Sequence, residues 1–122
     1  MTGKETKILV VDDNEMLAGL MRQMIESGGY SNVKAFCNST EAKTYLLENE
    51  INVLVTDLDM PEVTGFELIE IALKKNIRNI VAVSGNYWAN NEITDKFIEN
   101  KVGFLQKPCR ANQLLEAIGA WA

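Results

Sequence analysis

Acidic, hydroxyl and basic residues stand at the ends of several apolar runs in this sequence, where side chains can act on a ligand. These residues are Asp12, Asp13, Asp57, Ser84 and Lys107. Three carboxylates brought close together repel one another, which raises one or more of their pKa values unless a cation lies among them. Helix capping could explain one of these carboxylates, but it does not explain why three that repel one another would be placed together. The three carboxylates therefore predict a cation site.

The residue types narrow the chemistry of that site. The chain has no histidine, and a site built only from oxygen ligands favours magnesium, or manganese in its place, over zinc. Magnesium takes only one or two carboxylates and leaves positions for phosphoryl oxygens. Lys107 and Ser84 would offer a cation and a hydrogen-bond donor to a phosphoryl group in transfer. Asp57 is then the expected nucleophile, a carboxylate that becomes an acyl phosphate.

Each residue taken alone has a simpler interpretation. Asp12 or Asp13 could cap the first helix, and Ser84 could cap the fourth. Lys107 could be a solvated surface charge. The choice depends on whether the fold brings the side chains together.

The elements that would position these residues alternate along the chain. Apolar, β-branched runs predict five strands, at residues 7–12, 33–37, 51–57, 78–84 and 102–107. Three of the runs are nearly continuous in Val, Ile and Leu, as is typical of parallel strands covered on both faces. Helical spacing between the runs predicts five helices. The first carries an apolar stripe of Met16, Leu17, Leu20, Met21, Met24 and Ile25 and ends at Gly28 and Gly29.

Five strands that alternate with five helices predict one doubly wound, parallel α/β domain over residues 1–122. The ligand site of such a sheet lies beyond the carboxyl ends of the strands, where the strand order reverses. All five polar residues would fall on that rim.

Composition excludes some functions. The formal charge is -5, and the twelve Lys and Arg are scattered, so direct nucleic-acid binding is not expected. The start of the chain has only four apolar residues in a row, too few for a signal peptide or membrane insertion, so we expect a cytoplasmic protein. Cys37 and Cys109 form neither a disulfide framework nor a metal spacing.

Four motifs occur in order: "ILVVDDNE", "VTDLDMPEVTGFELI", "VAVSG" and "VGFLQKP". From about residue 6 to 121 they resemble the receiver domain of two-component response regulators, the CheY-like superfamily. The resemblance implies a flavodoxin-like (βα)5 fold with the strand order 2-1-3-4-5. Pro61, Gly65 and Pro108 are the structural residues of these motifs, and a cis bond before Pro108 is one way to aim Lys107 into the site.

The resemblance also implies a role for each site residue. Asp57 would accept phosphate from a phosphohistidine on a sensor histidine kinase or a phosphotransfer protein, and Ser84 and Lys107 would contact the phosphoryl group. The implied magnesium ligands are the carboxylates of Asp13 and Asp57, the backbone carbonyl of Asp59 and, through water, Asp12.

Phe104 falls at the aromatic switch position of the family, which turns inward when Ser84 moves toward the phosphate. From the residues alone, Phe104 is a core aromatic.

Output to a downstream protein or an attached output domain would pass through the fourth helix, fifth strand and fifth helix, and phosphorylation could drive dimerisation. Asp59 and Asn86 occupy positions from which a side chain can reach the water that attacks the acyl phosphate.

The chain departs from the family where Asn100 and Lys101 replace a frequent Gly-Ala pair. Asn100 is expected to keep the turn, since Asn tolerates a left-handed backbone. Trp88 follows the Ser84 loop and is assigned equally to packing on its own helix or to docking a partner.

Two alternatives belong to other classes of protein. The tetrapeptide "DLDM" also resembles the nucleophile motif of haloacid-dehalogenase-type phosphohydrolases, but there the DxD motif usually ends the first strand. A module that binds partners without phosphorylation would not need clustered charges. We therefore expect a phosphoacceptor that turns over no external substrate.

Overall fold

Five parallel strands form one sheet, and their carboxyl ends carry the polar residues. The computed structural model describes residues 5–85, 97 and 99–119. The strands are β1 (Lys7–Val11), β2 (Asn32–Phe36), β3 (Val53–Asp57), β4 (Asn79–Ser84) and β5 (Gly103–Gln106). They lie in the order β2-β1-β3-β4-β5 and all neighbours are parallel. The predicted strand order is confirmed, and it reverses between β1 and β3, where a ligand crevice is expected.

Helices cover both faces of the sheet. Those described in full are α1 (Glu15–Ser27), α2 (Ser39–Glu48), α3 (Gly65–Lys74) and a last helix (Ala111–Gly119), which matches the fifth predicted helix. Phe97 and Glu99 lie in helical backbone, as the fourth predicted helix requires. Trp88 and the rest of that prediction lie outside the described residues.

Two apolar layers hold the helices on the sheet. On one face, side chains of α2 and α3 such as Ala42, Leu46 and Leu68 pack against Leu9 and Leu54 of the strands. This explains the nearly continuous apolar runs of the central strands, because both of their faces are covered.

On the other face, α1 and the last helix pack against the alternate residues of the same strands. Met21 and Ile25 of α1, with Leu114 of the last helix, contact Val10 and Val55.

The apolar stripe of α1 is wider than the surface that buries it. Met21 and Ile25 are buried, but Met16 is 79% exposed and Leu20 44% exposed. The predicted helix is confirmed and ends at Gly28, but its apolar stripe is only partly buried. The sheet covers only a narrow arc of the helix, so Leu17 and Met24 are half-buried, and Met16 and Leu20 face outward.

The turn before β5 is kept, but by a different residue than predicted. Lys101, and not Asn100, takes the left-handed backbone, with φ of 59°. A non-glycine residue tolerates that conformation at a modest cost. Among the residues that the structure describes, no helix is long and apolar enough to cross a bilayer.

Candidate functional site

Three side chains from three different strands meet at the crevice. Asp12 follows β1, Asp57 ends β3, and Lys107 follows β5. The Nζ atom of Lys107 lies 2.6 Å from Oδ2 of Asp12 and 3.2 Å from Oδ2 of Asp57. Asp12 is completely buried, so a single ammonium group bridges two carboxylates that have lost most of their water.

A third carboxylate completes an acidic cluster. One carboxylate oxygen from each of Asp12, Asp13 and Asp57 lies within 4.8 Å of the others, with Asp13 exposed and the other two buried. Hard divalent cations bind oxygen ligands of this kind. The cluster therefore fits a magnesium ion that reaches solvent on the side of Asp13.

The charges of the site act on one another. Burial raises the pKa of Asp57 above its usual value, Lys107 opposes this, and the charge of Asp12 adds to the rise. Burial lowers the pKa of Lys107, but the hydrogen bond and charge of Asp12, together with Asp57, outweigh burial and hold that pKa above its usual value. Lys107 therefore stays an ammonium ion, whereas Asp57 is a carboxylate whose negative charge is poorly compensated.

The simpler interpretation of Asp12 and Asp13 as helix caps fails. Asn14 caps α1, since its side chain accepts a hydrogen bond from the N–H of Leu17 at 3.1 Å. Asp12 accepts from the backbone N–H of Asn14 at 2.9 Å, which orients its carboxylate ahead of the helix. The cap is therefore supplied by another residue, and the clustered charges have no capping purpose.

Ser84 and Pro108 lie where the sequence predicts. Ser84 ends β4 and is buried, and its backbone carbonyl accepts from the N–H of Lys107 at 2.9 Å. The bond between Lys107 and Pro108 is cis. The ends of β4 and β5 are thus joined directly at the site.

The loop after Asp57 is closed by Gly65. The N–H of Gly65 donates to the carbonyl of Leu58 at 3.1 Å. A Cβ atom at Gly65 would lie 1.9 Å from the backbone oxygen of Asp57, so only glycine allows α3 to begin this close to the strand. Within the loop, the N–H of Asp59 points to Oδ1 of Asp57 at 3.4 Å, and the side chain of Asp59 is exposed.

Comparison with known proteins assigns the family. The sequence profile described as response regulator receiver domain matches residues 8–119. The chain belongs to this family. It is 28% identical over 110 residues to a protein-glutamate methylesterase/protein-glutamine glutaminase of Thermotoga maritima, covering 88% of this chain and 32% of that protein. It is 29% identical over 105 residues to the regulatory protein VanRc of Enterococcus gallinarum, covering 84% and 43%.

The chain thus spans 32% and 43% of the length of these two relatives, less than half of either. Among solved structures, a CheY-like receiver domain protein from Methanospirillum hungatei superposes with a TM-score of 0.81 at 25% identity, covering 95% of this chain and 92% of that one. Receiver domains are phosphoacceptors with a signalling role; they bind magnesium in an acidic pocket and interact with histidine kinases or phosphotransfer proteins and with output domains.

In this receiver domain, Phe104 is partly buried in an aromatic stack. Its ring centroid lies 5.9 Å from that of Phe97, which in turn lies 5.9 Å from Phe66 of α3. The ring packs against the core, as its residue type predicts, but it stays partly exposed. Asn86 lies outside the described residues.

Sequence reasoning missed two features of this receiver domain. The first is Ser39, a buried serine at the start of α2, which looks like a helix cap in the sequence although Asn38 holds that position. The second is an apolar groove of about 270 Å³ beside the site. Its lining combines residues of α1 with the segment after β5, and only the outward part of the α1 stripe hinted at it.

Proposed function

We propose that Asp57 accepts a phosphoryl group from a phosphohistidine on a sensor histidine kinase or a phosphotransfer protein. The observation that carries this proposal is the Lys107 ammonium, which lies between Asp12 and Asp57 at 2.6 and 3.2 Å. In the transfer, the bond from phosphorus to the imidazole nitrogen breaks, the nitrogen keeps its electron pair, and phosphorus bonds to a carboxylate oxygen of Asp57. Water later attacks phosphorus, which releases phosphate and restores the carboxylate.

The same cluster would hold the metal. The carboxylates of Asp13 and Asp57 and the carbonyl of Asp59 would bind magnesium, or manganese in its place, and Asp12 would bind through water. The separation of at most 4.8 Å between the three carboxylates supports this. Bound there, the ion would neutralise charge on the phosphoryl oxygens.

Side chains of the protein would contact the phosphoryl group and set the rate of its hydrolysis. Lys107 stays protonated and can follow the phosphoryl oxygens, while Ser84 approaches them from the end of β4. Asp59 and Asn86 would tune hydrolysis, because each lies two residues after a site residue. The lifetime of the acyl phosphate in Asp59→Asn gives the sign of that effect.

Phosphorylation would then alter the packing of Phe104. This ring is only partly buried, and it is coupled through Phe97 to the helical segment between β4 and β5. Movement of Ser84 toward the phosphate would let Phe104 turn further inward and change the face formed by that segment, β5 and the last helix. A downstream protein, an output domain or a second copy would recognise this face.

The donor protein would dock on the groove beside the site. Phosphorus must come within about 3–3.5 Å of the attacking oxygen, so the donor has to touch the surface next to Asp57. Asp12 and Lys107 form one end of the groove, and Leu17, Leu20 and Pro108 are among the apolar residues that continue it. An apolar helix of the donor would bury the exposed side of α1 as its phosphohistidine reaches the carboxylate.

The test is phosphoryl uptake from a small-molecule phosphodonor with magnesium. We expect one acid-stable, base-labile phosphoryl group on the wild-type protein and none on Asp57→Asn, measured by intact mass. Glu48→Gln is the matched control, because it removes an exposed carboxylate of α2 outside the acidic cluster and should still take up phosphate. Uptake that persists in Asp57→Asn would contradict the assignment of the acceptor.

The same experiment tests the alternatives. Sustained turnover of phosphate esters would favour the phosphohydrolase, which the match to the receiver family does not favour. Failure of the wild type to take up phosphate would favour the module that works without phosphorylation. We further propose that residues 1–122 form a single receiver domain that acts in the cytoplasm.

A further inference from the structure

A buried hydroxyl group fastens α2 to the loop that follows Asp57. The Oγ atom of Ser39 donates to the carbonyl of Pro61 at 2.7 Å and accepts from the N–H of Val63 at 3.1 Å. Ser39 is only 4% exposed, and these partners lie more than twenty residues away in sequence. Its hydroxyl therefore uses both its donor and its acceptor to satisfy two backbone groups.

The carbonyl of Pro61 and the N–H of Val63 lie on either side of Glu62, which has an unfavourable backbone conformation. Glu62, between Pro61 and Val63, has a φ of 65°, in the left-handed region that non-glycine residues rarely adopt. Such a conformation persists when its surroundings fix it. Here Ser39 holds both sides of it.

Ser39 holds the loop at Pro61, two residues after Asp59. The start of the loop is held at Leu58, whose carbonyl accepts from the N–H of Gly65. Asp59 and the buried Met60 lie between Leu58 and Pro61. The direction of the Asp59 carbonyl therefore depends on where Ser39 places the rest of the loop.

We propose that Ser39 is a positioning residue for the magnesium site, since its hydroxyl fixes the loop that carries the Asp59 carbonyl. This inference rests on the proposed function, because it concerns the metal that supports phosphoryl transfer to Asp57. Ser39 is not one of the proposed ligands, since its hydroxyl is bonded to the backbone of Pro61 and Val63. Its contribution is to limit the conformations from which the carbonyl can bind.

The test is Ser39→Ala in the whole chain, with magnesium binding measured by calorimetric titration of magnesium chloride. Without the hydroxyl, the carbonyl of Pro61 and the N–H of Val63 lose their partner. We expect the Kd for magnesium to rise about tenfold, the lower end of the effect found when groups that orient metal ligands are removed. Phosphoryl uptake at limiting magnesium should slow in proportion and recover at saturating magnesium.

Two controls separate positioning from general loss of stability. Asn79→Ala removes another residue that is 4% exposed, whose side chain donates to the carbonyl of Ile118 at 2.5 Å at the opposite end of β4. It should lower the free energy of unfolding without changing the Kd. Thr40→Ala removes the 2.5 Å bond to the side chain of Glu62 and leaves the backbone bonds of Ser39 in place, so its Kd should match the wild type.

The outcomes distinguish this inference from the function on which it rests. A Kd within twofold of wild type in Ser39→Ala, in a protein that still takes up phosphate on Asp57, would overturn the inference and leave the function standing. An equal rise in Asn79→Ala would also overturn it. Absence of magnesium binding or phosphoryl uptake in the wild type would instead contradict the proposed function.

Discussion

Lys107 compensates charge that the fold has removed from water. Asp12 has no exposed surface and Asp57 has little, yet both carboxylates lie within 3.2 Å of the same ammonium. The net effect on Asp57 is still a raised pKa, because burial and the charge of Asp12 outweigh Lys107. The negative charge of the site is therefore only partly compensated, which is consistent with the proposal that Asp57 binds a cation and accepts a phosphoryl group.

We predict that Lys107→Met lowers the free energy of unfolding without metal by about 3 kcal/mol at pH 7, the lower end of the cost of removing one partner of a buried ion pair, because the Lys107 side chain is 20% exposed. Loss of the ammonium raises the pKa of Asp57 further. A group whose pKa is raised by folding stabilises the protein only when protonated, so the deficit should shrink as the pH falls.

Urea unfolding of both proteins at pH 7 and pH 5 measures this deficit. Added magnesium should recover part of it at pH 7, since the ion replaces the missing positive charge. A deficit of the same size at both pH values would instead attribute the effect to packing of the lysine stem.

At the scale of elements, α3 is placed by its contact with the end of β3. Thr64 caps the helix by accepting from the N–H of Glu67 at 3.3 Å, and Gly65 lies against the backbone of Asp57 and Leu58. The first turn of α3 thus packs directly against the strand end that carries Asp57. A side chain at Gly65 would therefore displace either α3 or the backbone of Asp57 and Leu58.

We predict that Gly65→Ala destabilises the protein by about 1–3 kcal/mol, the usual cost of overpacking, and slows phosphoryl uptake. Gly19→Ala is the matched control, because a Cβ there meets nothing within 4 Å. It should stabilise α1 by about 0.5–1 kcal/mol and leave uptake unchanged. Chemical unfolding and a time course of uptake check both variants, and a neutral Gly65→Ala would contradict the contact.

The sequence predicted elements better than the faces on which they pack. Apolar runs located all five strands, because strands covered on both sides leave an unbroken signal. Spacing could not show that Met16 and Leu20 stay exposed, since burial depends on how wide a strip the sheet covers. The sequence also could not show that Lys101, and not Asn100, takes the left-handed backbone conformation, because either of two neighbouring residues can form the turn.

Within the site, the strand-end residues were predictable and their supports were not. Asp12, Asp57 and Lys107 meet as the alternation of strands and helices requires. The bonds of Ser39 span more than twenty residues and follow no local spacing. A serine at the start of a helix is usually a cap, so its tie to the loop is visible only in three dimensions.

At the scale of the whole molecule, the loop that carries Asp59 and the apolar groove lie on different faces of the sheet. The loop held by Ser39 packs with α2 and α3, where Leu58, Met60 and Val63 join the apolar layer. The groove lies on the face of α1 and the last helix. A donor could therefore be recognised without contact with the loop that orients Asp59.

We predict that Leu20→Glu slows transfer from a histidine kinase that phosphorylates the wild type by at least about tenfold, because a carboxylate in the groove costs more than about 1.4 kcal/mol of docking energy. Uptake from a small-molecule donor should stay unchanged. Leu47→Glu is the matched control, since Leu47 is a comparably exposed leucine, 55% against 44%, on α2.

Transfer rates from both donors to the three proteins measure this effect. Equal slowing by Leu47→Glu would point to a general charge effect. An unchanged rate from the kinase in Leu20→Glu would place donor docking elsewhere.

The two separate apolar layers also suggest how the phosphoryl donor of such a domain could be changed. If the donor docks on the groove as proposed, substitutions on the outward side of α1 should change which donor is accepted, because the loop after Asp57 packs in the other apolar layer, with α2 and α3. The proposal therefore implies that the partner of this domain could be exchanged by substituting Leu17 and Leu20 in the groove without changing the residues of the acidic cluster.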